Sequence, residues 1–115
     1  MTEQRSRVTI HVLDATSGRP ATGIEVTLAR QAGADWQQVS SGRTDEDGRI
    51  GDFGPAGLER GVYRVSFAVA AYFAARQLPA FYPEVVIIFT VHDVAEHYHV
   101  PLLLSPYAYS TYRGS

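Results

Sequence analysis

Cysteine is absent from this chain. That excludes disulfide staples, thiolate metal ligands and a cysteine nucleophile, and a cysteine-free chain fits a reducing compartment best. Charge is also scarce, with Asp, Glu, Lys and Arg making up 19% of the 115 residues. No cluster of basic residues stands out and the net charge is −2, so the electropositive stripe that a nucleic-acid partner needs is missing. Long apolar runs are missing too. The longest, around residues 85–89 (VVIIF), is far too short for a membrane-crossing helix. The N-terminal segment 1–7, MTEQRSR, is polar and lacks the apolar core of a secretory leader. These gaps lead us to expect a soluble, cytoplasmic protein with no nucleic-acid and no membrane partner.

What is present is a 45% apolar content, enough for a core, in a length that suits a single domain over residues 1–115. Residues 8–13 (VTIHVL) alternate, with Val8, Ile10 and Val12 on one face and Thr9, His11 and Leu13 on the other, which is the period of a strand. Turn formers fill the following DATSGRPATG. Residues 24–29 place Ile24, Val26 and Leu28 inward, and a weaker strand covers 36–40. The polar turn TDEDG, 44–48, delivers Arg49 and Ile50. Over 61–69, Tyr63, Val65, Phe67 and Val69 share a face. The Ala-rich segment 70–78 (AAYFAARQL) breaks that period and stops before Pro79, predicting a helix of about two turns. Residues 84–90 (EVVIIFT) are rich in β-branched side chains and suit a central strand. Two more strands, 97–104 and 107–112, join at Ser105 and Pro106; Pro101 has no N–H to donate and belongs at an edge or bulge. No repeat or linker interrupts the chain. The sum predicts an all-β, two-sheet sandwich of about eight strands with one short helix.

Four strings, HVLDATSGRPATGIEVTL, TDEDGRI, FYPEVVIIF and HYHVPLLLSPYAYSTYRGS, resemble the transthyretin-related family that includes the 5-hydroxyisourate hydrolases. The likeness keeps their order and runs over about residues 8–115, so it implies the transthyretin-like sandwich. LDATSGRPA and LLLSPYAYST are common to the hydrolase and hormone-carrying branches and speak to fold alone. Four features are similar to the hydrolase branch: His11 of HVLD, Arg49 of DGR, His99 of HYHVPL, and the tetrad Tyr112, Arg113, Gly114 and Ser115. The hormone carriers lack that polar set. Ala108, where the pattern has Gly, and Val94, where Pro is common, depart from it and bear on local backbone rather than on chemistry.

The resemblance implies hydrolysis of 5-hydroxyisourate to 2-oxo-4-hydroxy-4-carboxy-5-ureidoimidazoline in urate degradation, with no metal and no cofactor. Such a step adds water to a ring carbonyl and breaks an amide-type C–N bond. It needs a base, a stabilised oxyanion and a proton for the departing nitrogen. Histidine suits the first and last near neutral pH. Arginine can hold carbonyl and ring-nitrogen edges through its planar fork, and its charge keeps a nearby imidazole neutral. By resemblance the catalytic set is His11, Arg49, His99 and Ser115, and Tyr112, Arg113 and Gly114 join these in binding substrate. Which of His11 and His99 is the base stays open. No triad spacing makes Ser115 a nucleophile, so its hydroxyl or its terminal carboxylate positions water or a histidine.

The same residues have plainer readings. A lone His on a mixed strand face, such as His11, is more often a satisfied surface or core residue than a catalyst. His97 shares a face with His99 and competes with it, whereas His92 belongs to a turn. His97 and His99, two apart, also suit zinc if a third ligand joins them. Arg113 is either a substrate ligand or a structural ion-pair partner. Tyr107, Tyr109 and Tyr112 suit an interface. Asp45, Glu46 and Asp47 form a solvated turn whose oxygen spacing is wrong for calcium.

A sandwich core roughly 10 Å thick is filled by its own side chains, so a purine-sized ligand has to bind on an outer face with a second wall. The resemblance implies a homotetramer, a dimer of dimers, with sites in the channel between dimers. The low charge and Tyr-rich tail suit that arrangement. Two rivals remain: a carrier of small aromatic ligands, which needs an apolar channel, and an adhesion sandwich without a ligand.

Overall fold

The computed structural model describes residues 8–115; the polar segment 1–7, which bears on the question of a leader, lies outside them. In chain order the elements are β1 (Val8–Asp14), β2 (Arg19–Pro20), β3 (Glu25–Ala32), β4 (Asp35–Arg43), β5 (Arg49–Ile50), β6 (Gly61–Phe67), α1 (Val69–Ala74), β7 (Val85–Val91), β8 (Tyr98–Leu104) and β9 (Tyr109–Thr111). One sheet runs β2-β1-β8-β9 with β5 also paired to β1, and the other runs β4-β3-β6-β7. Alternation decides what lies between them. Val8, Ile10 and Val12 of β1 meet Val26 and Leu28 of β3, Tyr63, Val65 and Phe67 of β6, and Tyr98, Val100 and Leu102 of β8 in one buried cluster. Both sheets therefore turn their period-two apolar face inward and leave the other face for chemistry.

Three expectations need correction. The strand over 61–69 ends at Phe67, and Val69 instead opens α1, still fully buried. That helix is six residues long and falls short of 70–78; Gln77 takes a positive φ of 58° and ends the turn ahead of Pro79. The segment 84–90 is an edge strand, since among the described residues β7 pairs with β6 alone. It reads as central because it is apolar on both sides: Val85 and Val91 are buried, while Val86 and Ile88 are exposed.

Pro101 sits in β8, which has neighbours on both sides, yet it lies at a break in one ladder. Gly114 N–H donates to His99 O and Ser105 N–H to Ala108 O, so odd-numbered residues of β8 turn their backbone groups toward β9. Pro101 falls in that set and cannot donate. The β8–β9 ladder holds at Leu102–Leu104, lapses opposite residues 112–113, and resumes in the His99–Gly114 bridge.

Candidate active site

Strand pairing builds the site from three distant pieces of chain. β1 and β8 run parallel with Thr9 opposite His99, and β1 and β5 run antiparallel with His11 opposite Arg49. Because Val8, Ile10 and Val12 face the core, Thr9 and His11 face outward, and His99 shares that face across the parallel pair. The turn before β5 aims Arg49. Asp45 Oδ1 accepts the backbone N–H of Asp47 and of Arg49, each at 2.9 Å. Gly48, at φ 73°, brings its backbone against Val12, where any Cβ would strike Val12 O. The Arg49 N–H lowers the Asp45 carboxyl below its usual range, helped by the N–H of Asp47 and the charge on Arg49.

The Thr9 hydroxyl lies between two imidazoles, 2.8 Å from His99 Nδ1 and 2.9 Å from His97 Nε2. The rings of His97 and His99 are nearly parallel, 16° apart, with centroids 6.4 Å from each other. His11 stands on the other side, its centroid 6.3 Å from that of His99. Burial lowers the pKa of His99 below that of an ordinary histidine; the positive fields of His11, His97 and Arg49 add to this, and the backbone of Thr9 opposes it. Neutral imidazole is thus favoured where a base is wanted. A cleft of about 210 Å³ opens here, lined by Thr9, Arg49, Ile50, His97, His99 and Ser115.

The C-terminal tetrad divides. Ser115 lines this cleft. Gly114 lies flat under His99: a Cβ there would collide with His99 Cδ2 and stand 3.1 Å from Cγ. Gly114 therefore serves by having no side chain. Arg113 turns away. Its Nη2 donates to Glu96 Oε1 and to His97 O, each at 3.0 Å, and its guanidinium stacks over Tyr98 at 4.6 Å. Its side chain is thus engaged in an ion pair, and it lines a cleft that His99 also lines. Tyr112 is exposed. With Arg113, His92, His99, Phe89 and Tyr98 it lines a larger cleft of about 390 Å³ where the sheets part at their free edges. That cleft is mostly apolar but shares His99 with the smaller one, to which Thr9, Arg49, His97 and Ser115 also contribute.

His92 keeps to its turn, its backbone N–H donating to Tyr98 Oη. Among the described residues, no group of three or more His, Cys, Asp or Glu is placed to hold a metal. The sequence reading missed Thr9 and Asp45. Alternation alone sets Thr9 beside His11, but its place between His97 and His99 follows only from the parallel register of β1 with β8.

Residues 8–114 match the model of the HIUase/Transthyretin family. The chain is 46% identical over 109 residues to a 5-hydroxyisourate hydrolase of Salmonella typhimurium, covering 94% of this chain and 80% of that protein. Its fold is similar to the structure of Klebsiella pneumoniae 5-hydroxyisourate hydrolase, with a TM-score of 0.85 at 34% identity over 96% of this chain and 100% of that one. It is also similar to transthyretin from Sparus aurata, with a TM-score of 0.89 at 30% identity over 96% and 97% of the two chains. In sequence and in fold, the chain belongs to the HIUase/Transthyretin family.

Proposed function

We propose that this chain is an enzyme that hydrolyses 5-hydroxyisourate at the outer face of the β1-β8 sheet. The observation that carries the reading is the convergence of His11, Arg49 and His99 from three elements onto one polar face. A carrier of apolar aromatic ligands would have little use for that face. The similarity to proteins named 5-hydroxyisourate hydrolase supports the same reading. His99 is the base. Its Nδ1 is taken by Thr9 and its Cδ2 edge by Gly114, so Nε2, at the far end of the ring, is left to take a proton from water. Arg49 and His11 present N–H donors and positive potential to the carbonyl as it becomes an oxyanion. Ser115, which lines the cleft, orients water or substrate.

The cleft is smaller than the roughly 300–1,000 Å³ of ordinary ligand pockets, so a second copy supplies the other wall. The assembly is a homotetramer.

Freshly generated 5-hydroxyisourate should lose its ultraviolet band faster with the protein than without it. Binding without faster loss would establish a carrier instead. His11→Ala and His99→Ala should each lower turnover by about 10²–10⁴-fold, with circular dichroism unchanged because neither side chain belongs to the buried core.

A further inference from the structure

A hydroxyl group has one hydrogen, and the Thr9 hydroxyl lies within hydrogen-bonding distance of two imidazole nitrogens. It cannot donate to both, so at least one of those nitrogens must carry a proton and donate to Thr9, and when only one does, the other accepts from it. The protonation of His97 and His99 is therefore linked through Thr9. In one arrangement His99 holds its proton on Nδ1 and leaves Nε2 bare, and Thr9 donates to His97. In the other, His97 Nε2–H donates to Thr9, Thr9 donates to His99 Nδ1, and His99 carries its proton on Nε2. Resting on the hydrolytic reading above, we propose that Thr9 and His97 form a proton relay for His99, with the Thr9 hydroxyl passing a proton between His99 Nδ1 and His97 Nε2.

The steps balance. As the water oxygen bonds to the ring carbonyl carbon, its proton goes to His99 Nε2, the Nδ1 proton goes to Thr9 Oγ1, and the hydroxyl proton of Thr9 goes to His97 Nε2. The carbonyl becomes an oxyanion and His97 becomes cationic, while His99 stays neutral and holds Nε2–H toward the substrate. When the C–N bond breaks, that proton goes to the leaving nitrogen. The chain then runs backward and restores the starting state.

The surroundings favour this placement of charge. His99 is half-buried and faces His11 from β1 and Arg49 from β5, whereas His97 is exposed at the rim. The nearby carboxylates are engaged elsewhere, Asp45 by backbone N–H groups and Glu96 by Arg113. Burial and these charges thus penalise a cation on His99, whereas His97 is open to water. One histidine can then serve as base and acid in turn without ever resting as a cation beside Arg49.

Thr9→Val removes the hydroxyl and keeps the β-branched shape that suits the strand. It should lower kcat by about 10²-fold with little change in KM, and Thr9→Ser should restore most of the loss. His97→Ala should cost less than His99→Ala, and it should add nothing to Thr9→Val, because both cut the same chain. Nitrogen-15 spectra of the substrate-free protein test the link without turnover: protonating His97 should drive His99 to its Nε2–H tautomer, and Thr9→Val should abolish that coupling. Normal kcat in Thr9→Val, losses that multiply in the double variant, or a His99 tautomer indifferent to His97 would overturn the relay. If the coupling is present but the wild type leaves 5-hydroxyisourate untouched, the reaction assignment fails and the linked histidine pair stands.

Discussion

A methyl group at residue 114 would occupy space now filled by the His99 ring. Gly114→Ala should therefore displace the imidazole while the backbone bond from Gly114 N–H to His99 O holds the tail in place. Misplacing a catalytic group by about 1 Å costs on the order of 10² in rate, so kcat should fall by about that factor with the melting temperature nearly unchanged. A fully active Gly114→Ala variant would show that the ring has room to spare. The second test at this scale is electrostatic. In the role proposed for it His99 must be neutral, and its pKa is lowered by burial and by His11, His97 and Arg49. The acid limb that His99 itself sets should thus lie below the ordinary histidine value of 6.5, read in a His97→Ala background so that protonation of His97 does not enter. Arg49→Met removes one of the lowering charges, so the acid limb of kcat/KM should move upward in pH even as the absolute rate falls. A limb that stays put or moves down contradicts the role given to Arg49. His11, Arg49 and His99 were legible in the sequence as outward positions in recognisable strings. Thr9 was not, because nothing local to residue 9 says that residues 97 and 99 will lie against it.

At the level of elements, one buried carboxylate ties the end of β1 to α1. Asp14 accepts N–H bonds from Thr16 and Ser17 through Oδ1 and the Tyr72 hydroxyl through Oδ2 at 2.8 Å. Burial and the Asp14 contact push the Tyr72 hydroxyl up to about 12 from 10.0. The folded state thus holds that proton more tightly than the unfolded state does. The stabilisation is complete below pH 10 and is lost as pH rises through about 12. Tyr72→Phe should cost about 1.5–3 kcal/mol at neutral pH, the range for a hydrogen bond to a charged group. Urea unfolding should show the gap to wild type closing over that alkaline window, and a gap constant with pH would refute the assignment. Strand period located most elements, because each sheet hides one face. It misjudged β7, whose apolar residues on both sides look the same at a sheet centre and at an uncovered edge. It also overran α1, where Ala-rich sequence favours helix but Gln77 turns left-handed before Pro79.

For the molecule as a whole, both sheets end, among the described residues, in edge strands on the same side. β7 closes one sheet and β9 the other, and the contacts of Phe89 with Tyr98 and of Tyr82 with Tyr109 bring these edges together. Open edges carrying exposed apolar side chains are a liability for an isolated chain. Here Val86 and Ile88 on β7 and Tyr109 on β9, with Tyr112 just beyond it, are exposed. Edge-to-edge pairing of two copies would satisfy the free backbone groups and close the wide apolar cleft between the sheets. It would leave the outer face bearing His11, Arg49 and His99 open to a second such dimer, which supplies the missing wall of the small cleft. Light scattering at assay concentrations should therefore give about four times the chain mass of 12.6 kDa. On dilution, activity per chain should stay constant until the proposed tetramer dissociates and then fall, since in that proposal each site is built from more than one chain. A fully active species at a single chain mass would mean that one protomer's cleft is complete, and the shared-wall site would have to be abandoned.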